Sequence, residues 1–372
     1  MRLAFTEIRR APVRYLLLVA AVALLMFLIL FQQALQDGLV TAFVGAVRNQ
    51  SAPVLVYSVD AQRTLQASVI PPPLEAELRA VDGVGDVARV DQGTFTVEVD
   101  GELRDATILG TDNAEIFHPT ELVEGREPET AGEAIGSSVD FAVGDEVEIV
   151  PFGDAEATTI TVVGLARDVQ LNVTPTLFTD SETFAEADRA ANPDVAVVLP
   201  NALAVVPASG VSAEDVVDAI DAAVPDAEAL TRTEAADTAP GVAQVRQSFQ
   251  IIFALYVLVI PLVTGLFFLI ITLQKADALT LLRAIGAPAS TLVRTLLLQV
   301  GAVLVLGLLV GTLLYAPLSQ MQVGGLKLQF DAGSVLAWAV LIAVLGLLSV
   351  FAAMRRVLRI DPVEATIGPG VR

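Results

Sequence analysis

The residue types that carry most enzyme chemistry are scarce in this chain. His118, in EIFHPTEL, is the single histidine, so no histidine-based metal cluster can form. A lone histidine beside a proline reads as a surface or loop residue. Cysteine is absent, which removes disulfides and any lipid-anchored cysteine. The glycine–serine pairs do not fit the G-x-S-x-G nucleophile elbow. Adjacent carboxylates such as Asp145 and Glu146 follow from general acidity, and sequence does not fix their separation, so no glycosidase-like pair is claimed. The G-x-x-x-x-G-K-[ST] phosphate loop is missing, and lysine occurs only at Lys275 and Lys327. No catalytic residue, metal ligand or directly bound cofactor is expected. If ATP drives this protein, another chain must bind it.

What the chain has instead is apolar length. Of its 372 residues, 54% are hydrophobic, yet its net charge is −21. The two properties separate: nearly all carboxylates lie between Asp37 and Asp237, and the longest apolar runs lie outside that interval. This predicts an α-helical membrane protein with four transmembrane helices, plus an α+β domain inserted between the first and second. Crossing the hydrocarbon takes roughly 20 apolar residues. The spans are placed at 15–35, 248–273, 292–317 and 335–354. Around them lie an N-terminal segment (1–14), a stalk and inserted domain (36–247), a link (274–291), a loop (318–334) and a tail (355–372). A basic N-terminus before an apolar run also describes a signal peptide. This run is longer than an h-region and lacks a clean small-x-small site, so a span is expected.

Basic residues near the span ends set the expected orientation. Arg2, Arg9, Arg10 and Arg14 precede the first span, Lys275, Arg283 and Arg294 flank the 274–291 link, and Arg355, Arg356 and Arg359 follow the fourth. Both termini and that link are expected in the cytoplasm, with the insert and the Lys327 loop outside. The acidity of the insert argues against nucleic acid, which needs a basic footprint. It reads first as a solubilising surface rather than a patch for cationic ligands.

The apolar interiors of the spans hold no ionisable residue, which argues against a proton-driven carrier. Their polarity comes from Gln32, Gln33, Tyr256, Thr264 and Gln299, read as interfacial or interhelical hydrogen-bonding residues. Gly307 and Gly311 form G-x-x-x-G, and with Gly301 give a small-residue face for close helix contact. Pro261 with Gly265 should kink or soften the second span, because proline removes a backbone donor.

In the insert, apolar spacing through GLVTAFVGAVRNQ extends the first helix past the membrane as a stalk. PVLVYSV reads as a strand, and LEAELRAVDGV as a helix with Leu74, Leu78 and Val81 on one face. TFTVEV, an Asp100-Gly101 turn and a return strand make a hairpin. The glycine-punctuated region from Gly132 to Val169 looks like several short strands. Ser212 and Asp215 offer a capping box for a helix that presents Val216, Val217 and Ile220. One compact domain or two small subdomains would fit.

The link 274–291 is more elaborate than a turn requires. In KADALTLLRAIGAPAS, Leu279, Leu282 and Ile285 share a helical face, with Asp277 and Arg283 flanking it. Gly286 can end the helix in a left-handed cap and Pro288 prevents its continuation. Such a helix suits the membrane surface and a partner's groove equally well.

LTLLRAIGAPASTLVRTLLLQ resembles the cytoplasmic signature of FtsX/MacB-type ABC transporter permeases. The layout of one span, a large domain and three spans is also similar, as are GEAIGSSVDFAVGDEVEI with ITVVGLARD, and the terminal RIDPVEATIG. The entry FTEIRRAPVRY looks nearest the haem-exporter and DevC-like branches. The resemblance implies a homodimer in the lipid of the cell membrane. It implies a coupling helix in which Asp277, Leu279, Leu282, Arg283, Ile285, Gly286 and Ala287 seat in a separate ABC ATPase subunit that holds ATP and Mg. It further implies export of a hydrophobic or amphipathic small molecule, haem being one candidate. Met26, Gln32, Gln33 and Tyr256 are the candidate substrate-facing residues, and of these Met26 and Tyr256 are the only plausible span ligands for haem iron. The chain departs from the family at Ala278, where many members carry glutamate. An FtsX-like signal relay, moving an extracellular wall hydrolase rather than a substrate, is the alternative that the same resemblance allows.

Overall fold

A computed structural model describes residues 12–153, 155–195, 197–274, 289–323, 326–328 and 330–358. The chain divides into two compact units. One is built from residues up to Asp37 and from Ser248 onward, and the other is the insert Gly38–Gln247.

The membrane unit rests on four helices, each long and apolar enough to cross a bilayer. They are α1 (Pro12–Arg48), α6 (Val242–Gln274), α7 (Ala289–Tyr315) and α8 (Ala332–Leu358). Their inward faces form one cluster, in which Leu18, Val22, Met26 and Ile29 of α1 meet Val300, Val303 and Leu304 of α7 and Ile342 of α8. The outward faces carry Leu16, Leu24, Leu262, Leu309, Leu313 and Leu336, all exposed. In water such a surface would aggregate; in hydrocarbon it is the soluble one. Asp331 caps α8, its carboxylate accepting from the backbone N–H groups of Gly333 (3.1 Å) and Ser334 (2.7 Å).

α6 stays helical from Val242 to Gln274 through Pro261. Pro261 removes one donor but leaves the neighbouring ladder in place. Gly265 instead marks a close approach, since a Cβ there would stand 3.4 Å from the Ser349 Cβ of α8. The break in a long helix is elsewhere. Val44 of α1 has φ −135° and ψ 17°, outside helical values.

The insert is built on a mixed sheet. Its strands are β1 (Val54–Ser58), β2 (Val84–Val99), β3 (Glu102–Thr111), β4 (Leu122–Gly125), β5 (Glu133–Ser137), β6 (Glu146–Ile149), β7 (Thr158–Ala166), β8 (Thr176–Asp180), β9 (Ala202–Pro207) and β10 (Ala227–Thr231). Along the sheet the order is β10–β1–β9–β2–β3–β8–β5–β7–β4, and β6 pairs with both β2 and β7. The second pairing closes a ring, β2–β3–β8–β5–β7–β6. Its core is Val97, Ile108, Ile149, Ile160, Val162 and Leu177, with Phe184 and Ala187 of helix α3 (Ser181–Ala191) packed in. On the other side of β2 the sheet stays open. There helices α2 (Pro72–Arg79) and α4 (Ala213–Ala223) cover one face through Leu74, Leu78, Val216 and Ile220.

The two sequence alternatives, one domain or two subdomains, therefore merge. Each half has its own core, and the 16-residue strand β2 belongs to both. Along β2 the buried positions switch from Ala88 and Val90 on the open side to Phe95, Val97 and Val99 in the ring, with Val90, Asp91 and Gln92 all buried where the halves meet. The β2–β3 turn is the expected two-residue hairpin, with Asp100 at φ 53° and Gly101 at φ 80°, the left-handed pair that this turn requires. Ser212 caps α4 by accepting from the Asp215 N–H at 3.1 Å. The Asp215 carboxylate accepts from the Ser212 hydroxyl at 2.8 Å, so the reciprocal half of the expected box is replaced by a side-chain pair.

Candidate functional site

Two places bear on function: the seam between α1 and α7 in the membrane unit, and the end of α1 inside the insert. At the seam, glycine lets two helices approach closely. A Cβ on Gly307 would stand 2.6 Å from the Val22 Cβ, and one on Gly311 would stand 2.7 Å from the Met26 Cβ. Neither position has room for a side chain without moving α1. Gly301 behaves differently, since among the described residues nothing lies within 4 Å of a Cβ built there. The small-residue face read from the sequence is thus two residues wide within this unit.

The candidate substrate-facing residues divide. Met26 is fully buried in the helix core beneath Gly311, among neighbouring side chains. A flexible apolar side chain fills such a gap well. Gln32 and Gln33 are half-buried, and Gln33 donates to the Asp37 carboxylate one turn on, at 3.0 Å. Tyr256 is half-buried with its ring 6.5 Å from that of Phe253, which in turn stands 5.0 Å from Trp338 of α8. The Thr264 hydroxyl donates to the Ile260 carbonyl of its own helix at 2.7 Å, not to a neighbouring helix. The coupling-helix residues Asp277, Leu279, Leu282, Arg283, Ile285, Gly286 and Ala287 lie outside the described residues.

Sequence reasoning missed the joint at the end of α1. Where the helix breaks at Val44, its backbone groups pair with the 168–174 loop. Ala46 N–H donates to the Gln170 carbonyl (3.0 Å), Asn172 N–H to that of Phe43 (2.9 Å) and Val173 N–H to that of Ala42 (2.8 Å). Asn49 Nδ2 adds a bond to the Asp168 carbonyl at 2.6 Å. The loop lies so close that a Cβ on Gly45 would overlap the Asp168 carbonyl oxygen. Glycine inside an otherwise helical pattern was the one signal that could have revealed this contact.

An ion-pair cluster holds the same joint. Asp237, in α5 (Arg232–Thr238), accepts from Arg48 at 3.0 Å and from Arg246 at 2.6 Å. Burial alone would raise its carboxyl, but hydrogen bonds from Arg246 and Arg48 outweigh that and hold it below the usual range. The last turn of α1 and the first turns of α6 thereby share one carboxylate within the insert. His118 sits half-buried in a loop, its Nδ1 2.9 Å from the Pro119 carbonyl. Among the described residues no group of three histidine, aspartate or glutamate side chains could hold a metal.

Residues 250–362, which run from α6 past α8, match the family model described as FtsX-like permease C-terminal. That match covers the C-terminal third of the chain and leaves the insert outside it. The chain is similar, at 23% identity over 99% of both chains, to a protein named putative hemin transport system permease protein HrtB from Staphylococcus haemolyticus. A protein of the same name from Staphylococcus epidermidis matches at 27% identity over 32% of this chain, which spans only 33% of that relative. Among solved structures, the periplasmic region of MacB from Actinobacillus actinomycetemcomitans covers 51% of this chain and 91% of its own, at 11% identity and a TM-score of 0.34. The extracellular domain of the transporter YknZ covers 48% and 100%, at 13% identity and a TM-score of 0.31. Four helices of the chain are long and apolar enough to cross a membrane, and three of them lie within or overlap the matched residues.

Proposed function

We propose that the chain is the membrane subunit of an ABC transporter that exports a hydrophobic or amphipathic compound. Two copies pair in the plasma membrane, with both termini and the 274–291 link in the cytoplasm and the insert outside. A separate ATPase subunit, holding ATP and Mg, docks on the helix that carries Leu279, Leu282 and Ile285. The observation that carries this reading is the match of residues 250–362 to the FtsX-like permease family. The absence of Asp, Glu, Lys, Arg and His from the span interiors supports drive by ATP rather than by an ion gradient, because an ion-coupled carrier needs such a group there. The hemin-transport names of the relatives make haem the first cargo to try.

The test uses the full chain co-expressed with an ATPase encoded beside it. Replacing Leu282 or Ile285 by Asp places a charge on the apolar docking face and is expected to abolish co-purification while membrane yield stays normal. Retained co-purification would sink the docking assignment. Hemin added to reconstituted vesicles is expected to stimulate ATP hydrolysis by the wild-type complex. An unresponsive but intact complex would discard haem and leave the permease reading standing.

A further inference from the structure

The insert contains a cleft of about 210 Å³ beside the joint described above. The broken end of α1 supplies Phe43 and Val47, and Leu65, Leu171 and Ala239 add apolar wall, with Thr64 and Gln66 making the lining mixed. Tyr57 of β1 lines the same cleft and is only 1% exposed. None of the described residues hydrogen-bonds its hydroxyl, which opens onto the cleft rather than being sealed in the core. A phenol donor exposed to a cleft can be paired by an acceptor placed there. Burial, with the Glu228 carboxylate as a smaller contribution, pushes this phenol well above its ordinary range, so it stays a donor.

Charge and backbone narrow the ligand further. Arg63 lines the cleft, but its Nε donates to Glu228 at 2.7 Å, so the two form a neutral pair rather than an anion trap. Two stretches of backbone beside the cleft are held in the left-handed region without glycine. Gln62 and Arg63 have φ of 50° and 63°, and Asn172 and Val173 have φ of 53° and 63°. For a bulky or β-branched residue that conformation is strained, and such strain concentrates at ligand sites. A cavity of about 150 Å³ lined by apolar side chains accommodates benzene, so this cleft has room for a ring with one polar substituent.

We propose that the cleft binds a small uncharged aromatic compound bearing one acceptor oxygen, such as a ketone, ester or amide carbonyl, with the Tyr57 hydroxyl as its donor. A tetrapyrrole is far too large for it, so the site is separate from any haem path and does not depend on the transport reading. An occupant touches the end of α1 and Ala239–Pro240, a few residues before α6 begins, and therefore orders both segments at once.

Fluorine NMR of para-fluoroacetophenone with the full chain in lipid nanodiscs tests this, with empty nanodiscs as the reference. Saturable excess broadening with a Kd of about 1 mM or tighter is expected. Tyr57→Phe keeps the ring and removes the donor, weakening binding roughly five- to tenfold. Ala67→Phe, at an exposed wall position, and Ala239→Leu fill the cleft and should abolish binding. In the wild type the probe should also slow amide exchange in residues 42–47 and 170–174. No saturable excess broadening, unchanged affinity in Tyr57→Phe, or full binding in both filled variants would each overturn the proposal.

Discussion

Replacing Asp91 by Asn should stabilise the insert at neutral and alkaline pH and do nothing in acid. Asp91 lies on β2, 6% exposed, and accepts a hydrogen bond from the Ser181 hydroxyl at 3.0 Å. Burial is the largest influence on its carboxyl. The Ser181 bond and the Arg89 charge oppose it, while Asp112 and Asp188 reinforce it, and the pKa is pushed up from 3.8 to about 6. The folded state thus holds the proton more tightly than the unfolded chain. Below pH 3.8 both states are protonated and Asp91 costs nothing. As pH rises from about 4 to about 6 the penalty grows, and above that it is complete. Two pKa units correspond to about 3 kcal/mol, an upper bound for what the amide recovers. For a unit of this size, each kcal/mol moves Tm by about 2–4 °C. Thermal unfolding of the fragment 38–247 at pH 4, 6 and 8, followed by circular dichroism, should therefore show a gain of several degrees at pH 8. That gain should shrink to nothing at pH 4. An equal gain at all three values, or a loss at pH 8, would show that the cost of burying this charge has been misassigned.

Gly311→Leu and Gly307→Val should each destabilise the membrane unit by about 1–3 kcal/mol through overpacking against Met26 and Val22, while Gly301→Ala is tolerated. Thermal aggregation of the purified full chain would show the ranking, and equal tolerance at all three would refute the seam. Gly45→Ala should loosen the α1 joint, because its methyl group meets the Asp168 carbonyl. Faster amide exchange at Ala46, Asn172 and Val173, with β2 and β3 unchanged, is the expected result, and unaltered exchange at those three sites would contradict it.

Local signals were readable from sequence where neighbouring residues decide the structure. The Asp100-Gly101 turn, the Ser212 cap and the apolar faces of α2 and α4 all depend on side chains a few positions apart. The ring closure was not readable, because β6 has four residues and acquires its meaning only by pairing with β2, about fifty positions earlier. At Pro261 the residue type alone does not set the local structure, since α6 stays helical on both sides of the proline. The same holds for Met26 in the candidate site. A methionine in an apolar run suits a substrate wall and a packed seam equally, and its packing shows only in the position of Gly311 opposite it. The α1 joint left one trace, Gly45, since its backbone bonds carry no side-chain signature and its ion pair joins Arg48 to Asp237, 189 positions apart.

The backbone part of that attachment bears on how such a joint changes over evolutionary time. Beside the Asn49 bond and the Arg48–Asp237–Arg246 ion pairs, the joint is held by three bonds from backbone N–H to backbone carbonyl, through Ala42, Phe43, Ala46, Gln170, Asn172 and Val173. Main-chain groups are the same whatever side chain is attached, so these positions can mutate widely without loosening the attachment. Gly45 is the exception, because its substitution blocks the approach itself. A connection of this kind can outlast most of the sequence around it. Distant relatives should then preserve the joint as a glycine in register with a tight loop and little else in common.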